Sequence, residues 1–97
     1  MSEHATVVRI ARMRPTPGEH DVLLKRLHAQ TEAMRSLPGL FGAQVCEIEE
    51  DPSCLVLISR WADEQSMRAL ESGAAAAAHQ AVAEVVEHED VEHLRSV

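Results

Sequence analysis

Cys54-Leu55-Val56-Leu57-Ile58-Ser59-Arg60-Trp61 is the stretch that decides the fold. Leu55 to Ile58 are four consecutive apolar residues, two of them β-branched, closed by a charge and the only tryptophan. Such a run reads as a strand buried on both faces, and therefore as a central strand. Side chains alternate along it, so Leu55, Leu57, Ser59 and Trp61 share one face while Val56, Ile58 and Arg60 share the other. Each face needs its own cover.

Working outward, Glu49-Glu50-Asp51-Pro52-Ser53 reads as a turn and Leu40 to Ile48 as the strand before it, so the two strands form a hairpin. Ala5 to Met13 is β-rich and ends at Arg14-Pro15, which makes it the first strand. Thr16-Pro17-Gly18-Glu19 has the pattern of a helix start, with Thr16 as N-cap, Pro17 at the first helical position and Glu19 closing a capping box. The helix that follows carries Leu23, Leu27, Thr31, Met34 and Leu37 on one stripe and stops before Pro38-Gly39. After Trp61, Asp63 is an N-cap for a short helix with Met67 and Leu70 inward, ending at Ser72-Gly73. A third helix is expected from Ala74 to about Glu87, with Ala75, Ala78, Val82, Val85 and Val86 inward. Val91 to Val97 alternates weakly and reads as a last strand.

The order strand, helix, strand, strand, helix, helix, strand is that of an α+β, ferredoxin-like split βαβ domain: a four-stranded antiparallel sheet with helices on one face. The 97 residues form one domain, spanning 1–97. Nothing in so short a chain is left to shield the other face, where Val56 and Ile58 point. The economical cover is a second copy, so a homodimer packed sheet to sheet is expected.

Composition narrows the function. Hydrophobic residues make up 45% of the chain but aromatics only 2%, so the core is aliphatic. A net charge of −7 with scattered lysines and arginines argues against nucleic acid and against an anionic membrane surface. No apolar run approaches the ~18 to 20 residues of a membrane helix and Met1–Glu3 opens no signal peptide, so a cytoplasmic protein is expected. Cys46 and Cys54 then read as small reduced hydrophobes. No phosphate loop, nucleophile elbow or Ser-His-Asp arrangement is present. His88 and His93 are five apart, on opposite faces of a strand, and cannot share a metal ion; no metal site is expected.

A capped helix after strand one, Leu37-Pro38-Gly39 before strand two, Asp51-Pro52 in the hairpin and an apolar strand ending in Trp61 before an acidic helix start together resemble the antibiotic biosynthesis monooxygenase family, over about Thr6 to Val97. The resemblance implies a dimeric α+β barrel with a small-molecule pocket between sheet and helices in each subunit. It also implies the family's range of activities: cofactor-independent oxidation of aromatic hydroquinones or anthrones, haem degradation, or action on small signalling molecules. Trp61 matches the tryptophan that ends strand three, and His79 falls where haem-degrading members place their iron ligand. The departures are equally specific. Positions near Ala11 and near Ala69 or Leu70 lack the asparagine and second tryptophan of haem degraders. Leu57 stands where quinone-forming members offer an asparagine, and the chain contains neither asparagine nor tyrosine.

The candidate site residues follow from these readings. His79, on the flank of the third helix's stripe, is the candidate catalytic base for a phenolic proton, or alternatively a haem ligand; the structural alternative is a half-buried helix histidine with a carbonyl or carboxylate partner. Trp61 could stack on a planar substrate or simply close the sheet end as core. Arg9 shares its strand face with Val7, Ala11 and Met13, and could stabilise a phenolate or snorkel to the sheet edge. Leu57 and Met13 complete the expected substrate-binding wall. His20, on the inner side of helix one, is a further pocket candidate; His28 is read as solvated. The leading function is a cofactor-independent monooxygenase of small aromatic or quinol substrates. The alternatives are a haem-binding protein and a non-catalytic dimer that binds a small hydrophobic ligand.

Overall fold

The computed structural model describes residues 6–97. Four strands, β1 (Val7–Pro15), β2 (Leu40–Ile48), β3 (Asp51–Trp61) and β4 (Val86–Arg95), form one antiparallel sheet in the order β2-β3-β1-β4. Helices α1 (His20–Met34), α2 (Glu64–Arg68), continued by a 3-10 turn at Ala69–Glu71, and α3 (Gly73–Ala83) lie on one face. This is the ferredoxin-like α+β architecture.

β3 is interior to the sheet, as its composition requires. Leu55, Leu57, Ser59 and Trp61 are 0–1% exposed beneath the helices. In β1, Met13, Ala11, Arg9 and Val7 stand opposite these four in register and so share their face. Leu23, Leu27 and Met34 of α1 close over this aliphatic surface. Arg26 ties α1 to α3, donating from Nη1 to the Ala81 carbonyl (2.7 Å) and to Glu84 (2.9 Å). On the other side of the sheet Val56 is buried, Val8, Ile10 and Ile58 are half-buried and Arg60 is exposed.

Several boundaries differ from the sequence reading, α1 ending at Met34 rather than running on through Leu37 among them. Thr16–Glu19 is a turn rather than a capping box: the Glu19 N–H donates to the Thr16 carbonyl (2.9 Å) and Gly18 has φ +83°. Proline second and a positive-φ glycine third define a type II turn. The helix therefore begins only at His20, and its flanking Glu19 makes no side-chain cap. β1 runs to Pro15, two residues beyond Met13; the expected start at Ala5 lies outside the described residues. The hairpin turn is Glu49-Glu50 alone, because Asp51 already pairs with Ile48. Finally, α3 stops at Ala83 and β4 starts at Val86, where the Thr16 N–H meets the Val85 carbonyl at 2.9 Å. The last strand expected from Val91 thus starts five residues earlier, a shift the sequence hides because β4 is almost wholly exposed and a solvated strand imposes no hydrophobic alternation.

Candidate functional site

The outer half of the helix-covered face, along β1 and β4, is left open. A cavity of about 300 Å³ lies there, between these strands and the α2–α3 segment. Arg9 enters it from β1, Val91 and His93 from β4, Met67, Leu70 and Glu71 from the short helical turns, and His79 from α3. Glu64 and Arg68 line it as well, joined to each other at 2.7 Å across one helical turn. A second hollow of about 280 Å³ adjoins the first and shares Glu64, Met67 and His93.

Strand pairing sets the geometry. Arg9 stands between Ser59 of β3 and His93 of β4 and so carries a guanidinium to the cavity floor. Burial pushes its pKa down, while Glu89 and Glu71 act in the opposite direction; a guanidinium keeps its charge at neutral pH regardless. Arg9 takes part in none of the ion pairs among the described residues. Glu64 is held below the ordinary carboxylate range by its hydrogen bond from Arg68 and the charge behind it. The half-buried His79 is fixed from behind: its Nδ1 lies 3.2 Å from the Gln30 amide nitrogen of α1. Its Nε2 has no hydrogen-bond partner among the described residues and is the ring atom left to meet a ligand.

Of the five site residues expected from sequence, the fold brings Arg9 and His79 to one cavity. Trp61, Leu57 and Met13, at 0%, 1% and 1% exposure, are packed into the core and do not line it. The Trp61 indole N–H donates to the Ser59 hydroxyl at 2.9 Å, so its single polar atom is satisfied inside the core. His20 sits at the hairpin, 3.2 Å from the Pro52 carbonyl, away from the cavity, and His28 is exposed. Sequence reasoning missed Gln30, His93, Glu64 and Glu71. Gln30 carried a signal: Leu23, Leu27, Gln30 and Met34 are spaced four, three and four, an inward stripe on which only Gln30 is polar. Among the described residues no group of three or more His, Cys, Asp or Glu side chains is placed to hold a metal ion. Nor, among the described residues, is any helix long and apolar enough to cross a membrane.

A ferredoxin-like α+β domain with a charge-lined cavity between sheet edge and helices is the class that fold and site define. Within it, the chain belongs to the antibiotic biosynthesis monooxygenase family, whose sequence model matches residues 6–82. β4, with Val91 and His93, lies beyond that match. Among solved structures the chain is similar to one from Chloroflexus aurantiacus named a "putative antibiotic biosynthesis monooxygenase", with 26% identity over 95% of this chain and 91% of the other and a TM-score of 0.77. It is also similar in fold to the Rv0793 protein of Mycobacterium tuberculosis (21% identity, 95% of each chain, TM-score 0.84). A Pseudomonas aeruginosa protein gives a TM-score of 0.87 at 15% identity, over 100% of this chain and 99% of the other. No functionally curated protein matches the sequence significantly.

Proposed function

We propose that this protein is a cofactor-independent monooxygenase of small aromatic or quinol-type substrates, acting as a homodimer. The observation that carries the reading is the meeting of His79 and Arg9, from α3 and β1, in one cavity of a size for a single small ring system. Nε2 of His79 takes the proton of a substrate hydroxyl, and the bonding pair stays on the substrate oxygen as a phenolate. Arg9 offsets that developing charge from the cavity floor. A phenolate ring is electron-rich enough to reduce dioxygen itself. One oxygen atom ends on the ring carbon and the other leaves as water, so a hydroquinone plus O₂ gives a hydroxyquinone plus water and no outside reductant enters.

Oxygen uptake with a panel of hydroquinones and anthrones tests this. Turnover above the buffer rate is expected, with a loss of roughly 10²–10⁴-fold in His79→Ala, the range for removing a general base. Uptake at the buffer rate with every substrate, unchanged by the substitution, would leave a ligand-binding dimer instead. A Soret band on adding haemin, lost in His79→Ala, would replace the reading with a haem site; the charged lining supplied by Arg9, Glu64, Arg68 and Glu71 argues against a porphyrin face there.

The dimer rests on the open side of the sheet, where Val8, Ile10, Val56 and Ile58 make an apolar strip bordered by the Arg12–Glu92 and Arg14–Asp51 ion pairs. A second copy buries that strip symmetrically. Sedimentation of Ile58→Asp should give a monomer where the native chain gives a dimer, and a native monomer would refute the assembly.

A further inference from the structure

Gln30 is 1% exposed, yet it carries a primary amide. A buried polar group without a partner costs about 1–3 kcal/mol, so an amide on the inward stripe of α1 calls for a reason. Its one side-chain hydrogen bond among the described residues is the 3.2 Å contact to Nδ1 of His79. The amide oxygen makes none, so nothing else on the side-chain side fixes which way the amide faces.

An amide is a donor on one side and an acceptor on the other, and a neutral imidazole carries its proton on one nitrogen only. With the amide nitrogen toward the ring, Nδ1 accepts, Nε2 holds the proton, and His79 faces the cavity as a donor. With the amide turned by half a rotation, its oxygen accepts from Nδ1–H and Nε2 presents a lone pair. Each arrangement contains one hydrogen bond between the same two side chains.

We propose that Gln30 is the positioning residue of His79, its amide turning between these two orientations so that one histidine presents either a proton acceptor or a proton donor to a ligand oxygen in the cavity. The catalytic meaning of this rests on the monooxygenase reading, whereas the coupling of the two side chains does not. In that reaction Nε2 takes the hydroxyl proton while the Gln30 oxygen holds Nδ1–H. The same proton is later given from Nε2 to the oxygen that departs as water, which restores the neutral ring with the amide oxygen still on Nδ1–H. The other orientation, with the amide nitrogen toward Nδ1, serves a ligand that needs a donor from the neutral ring.

The charged and titratable groups around the ring are Arg9 on β1, His93 on β4, and Glu64, Arg68 and Glu71 on the helical wall. On α1, Arg26 is engaged with Glu84 at 2.9 Å. None of them is altered by a change at position 30, so a change in His79 reports on Gln30 itself.

The test is ¹⁵N NMR of the histidine rings in the ligand-free full chain across neutral pH. In Gln30→Glu the carboxylate only accepts, so neutral His79 should be the Nδ1–H tautomer alone. In Gln30→Leu the tautomer populations should move to those of the exposed His28. Should the buried carboxylate prevent folding, the leucine variant decides by itself. A His79 spectrum unchanged in Gln30→Leu overturns the proposal. Expected NMR changes in a protein that consumes no oxygen would uphold the coupling and sink the monooxygenase reading, so the two failures are distinguishable.

Discussion

One face of one sheet is finished in two different ways. Over β2, β3 and the adjoining side of β1, Leu23, Leu27 and Met34 of α1 press on Leu55, Leu57, Ala11 and Met13, and every one of these side chains is at most 1% exposed. Over β1 and β4 the same face carries Arg9, Val91 and His93, and the α2–α3 segment stands off and leaves a cavity. The backbone pairing is continuous from one half to the other, so the difference is chemical. Aliphatic side chains gain about 25 cal/mol for each Å² taken out of water, whereas a guanidinium or carboxylate closed in without a partner costs several kcal/mol. The helices therefore close where the strands are apolar and stay apart where they are charged. The cavity is the region the sequence will not allow to collapse.

That contrast is open to direct attack by substitution. Trp61→Ala removes the largest fully buried side chain of the closed half and should cost about 3–5 kcal/mol. Because Trp61 is the chain's only tryptophan, urea unfolding has to be followed by circular dichroism. Arg9→Met in the open half keeps the stem and removes a charge that is already partly desolvated, so its effect should stay within about 1 kcal/mol, of either sign. Comparable losses for the two would mean that the cavity wall is as much core as the region under α1, and the division would fail.

The same division governs what could be read before the structure. β3 was legible because burial on both faces forces an uninterrupted apolar run; strand parity put Arg9 on one face with Val7, Ala11 and Met13, and the family resemblance turned that face toward the helices. β4 was placed about five residues late and α3 extended too far, because Val82, Val85 and Val86 fit a helical stripe and nothing in the exposed strand contradicts them. The start of α1 failed on one dihedral angle: Thr16-Pro17-Gly18-Glu19 fits both a capping box and a type II turn, and the positive φ of Gly18 belongs only to the turn. Trp61 illustrates the limit at the site. Its face was correct, but facing the helices meant the packed core rather than the cavity, because whether a helix closes on a given residue depends on partners distant in sequence. Gln30 lay on a readable stripe, yet its meaning depends on His79, 49 positions away.

The smallest effect concerns how the open half keeps its wall. α2 contributes only Met67 to the core and is anchored through its first turn. Asp63 caps it, accepting from the Ser66 N–H at 2.7 Å, and Gly39, with φ +84°, comes so close to the Ser66 side chain that a Cβ there would collide. The bonds from Ser66 hold the Asp63 carboxyl below its ordinary value of 3.8. A folded-state pKa depressed in this way means the cap's contribution is complete above the unfolded value and fades as the pH falls through the folded one. Glu64, held down by Arg68, follows the same sign. Amide hydrogen exchange, corrected for its intrinsic pH dependence, should therefore show Met67 to Leu70 losing protection in acid before Leu27 or Leu57 does. Asp63→Asn preserves a capping acceptor and removes its charge, so in that variant the loss should be shallower and should follow Glu64 alone. Equal acid sensitivity in the two halves would show that the wall is held by the same packing as the core.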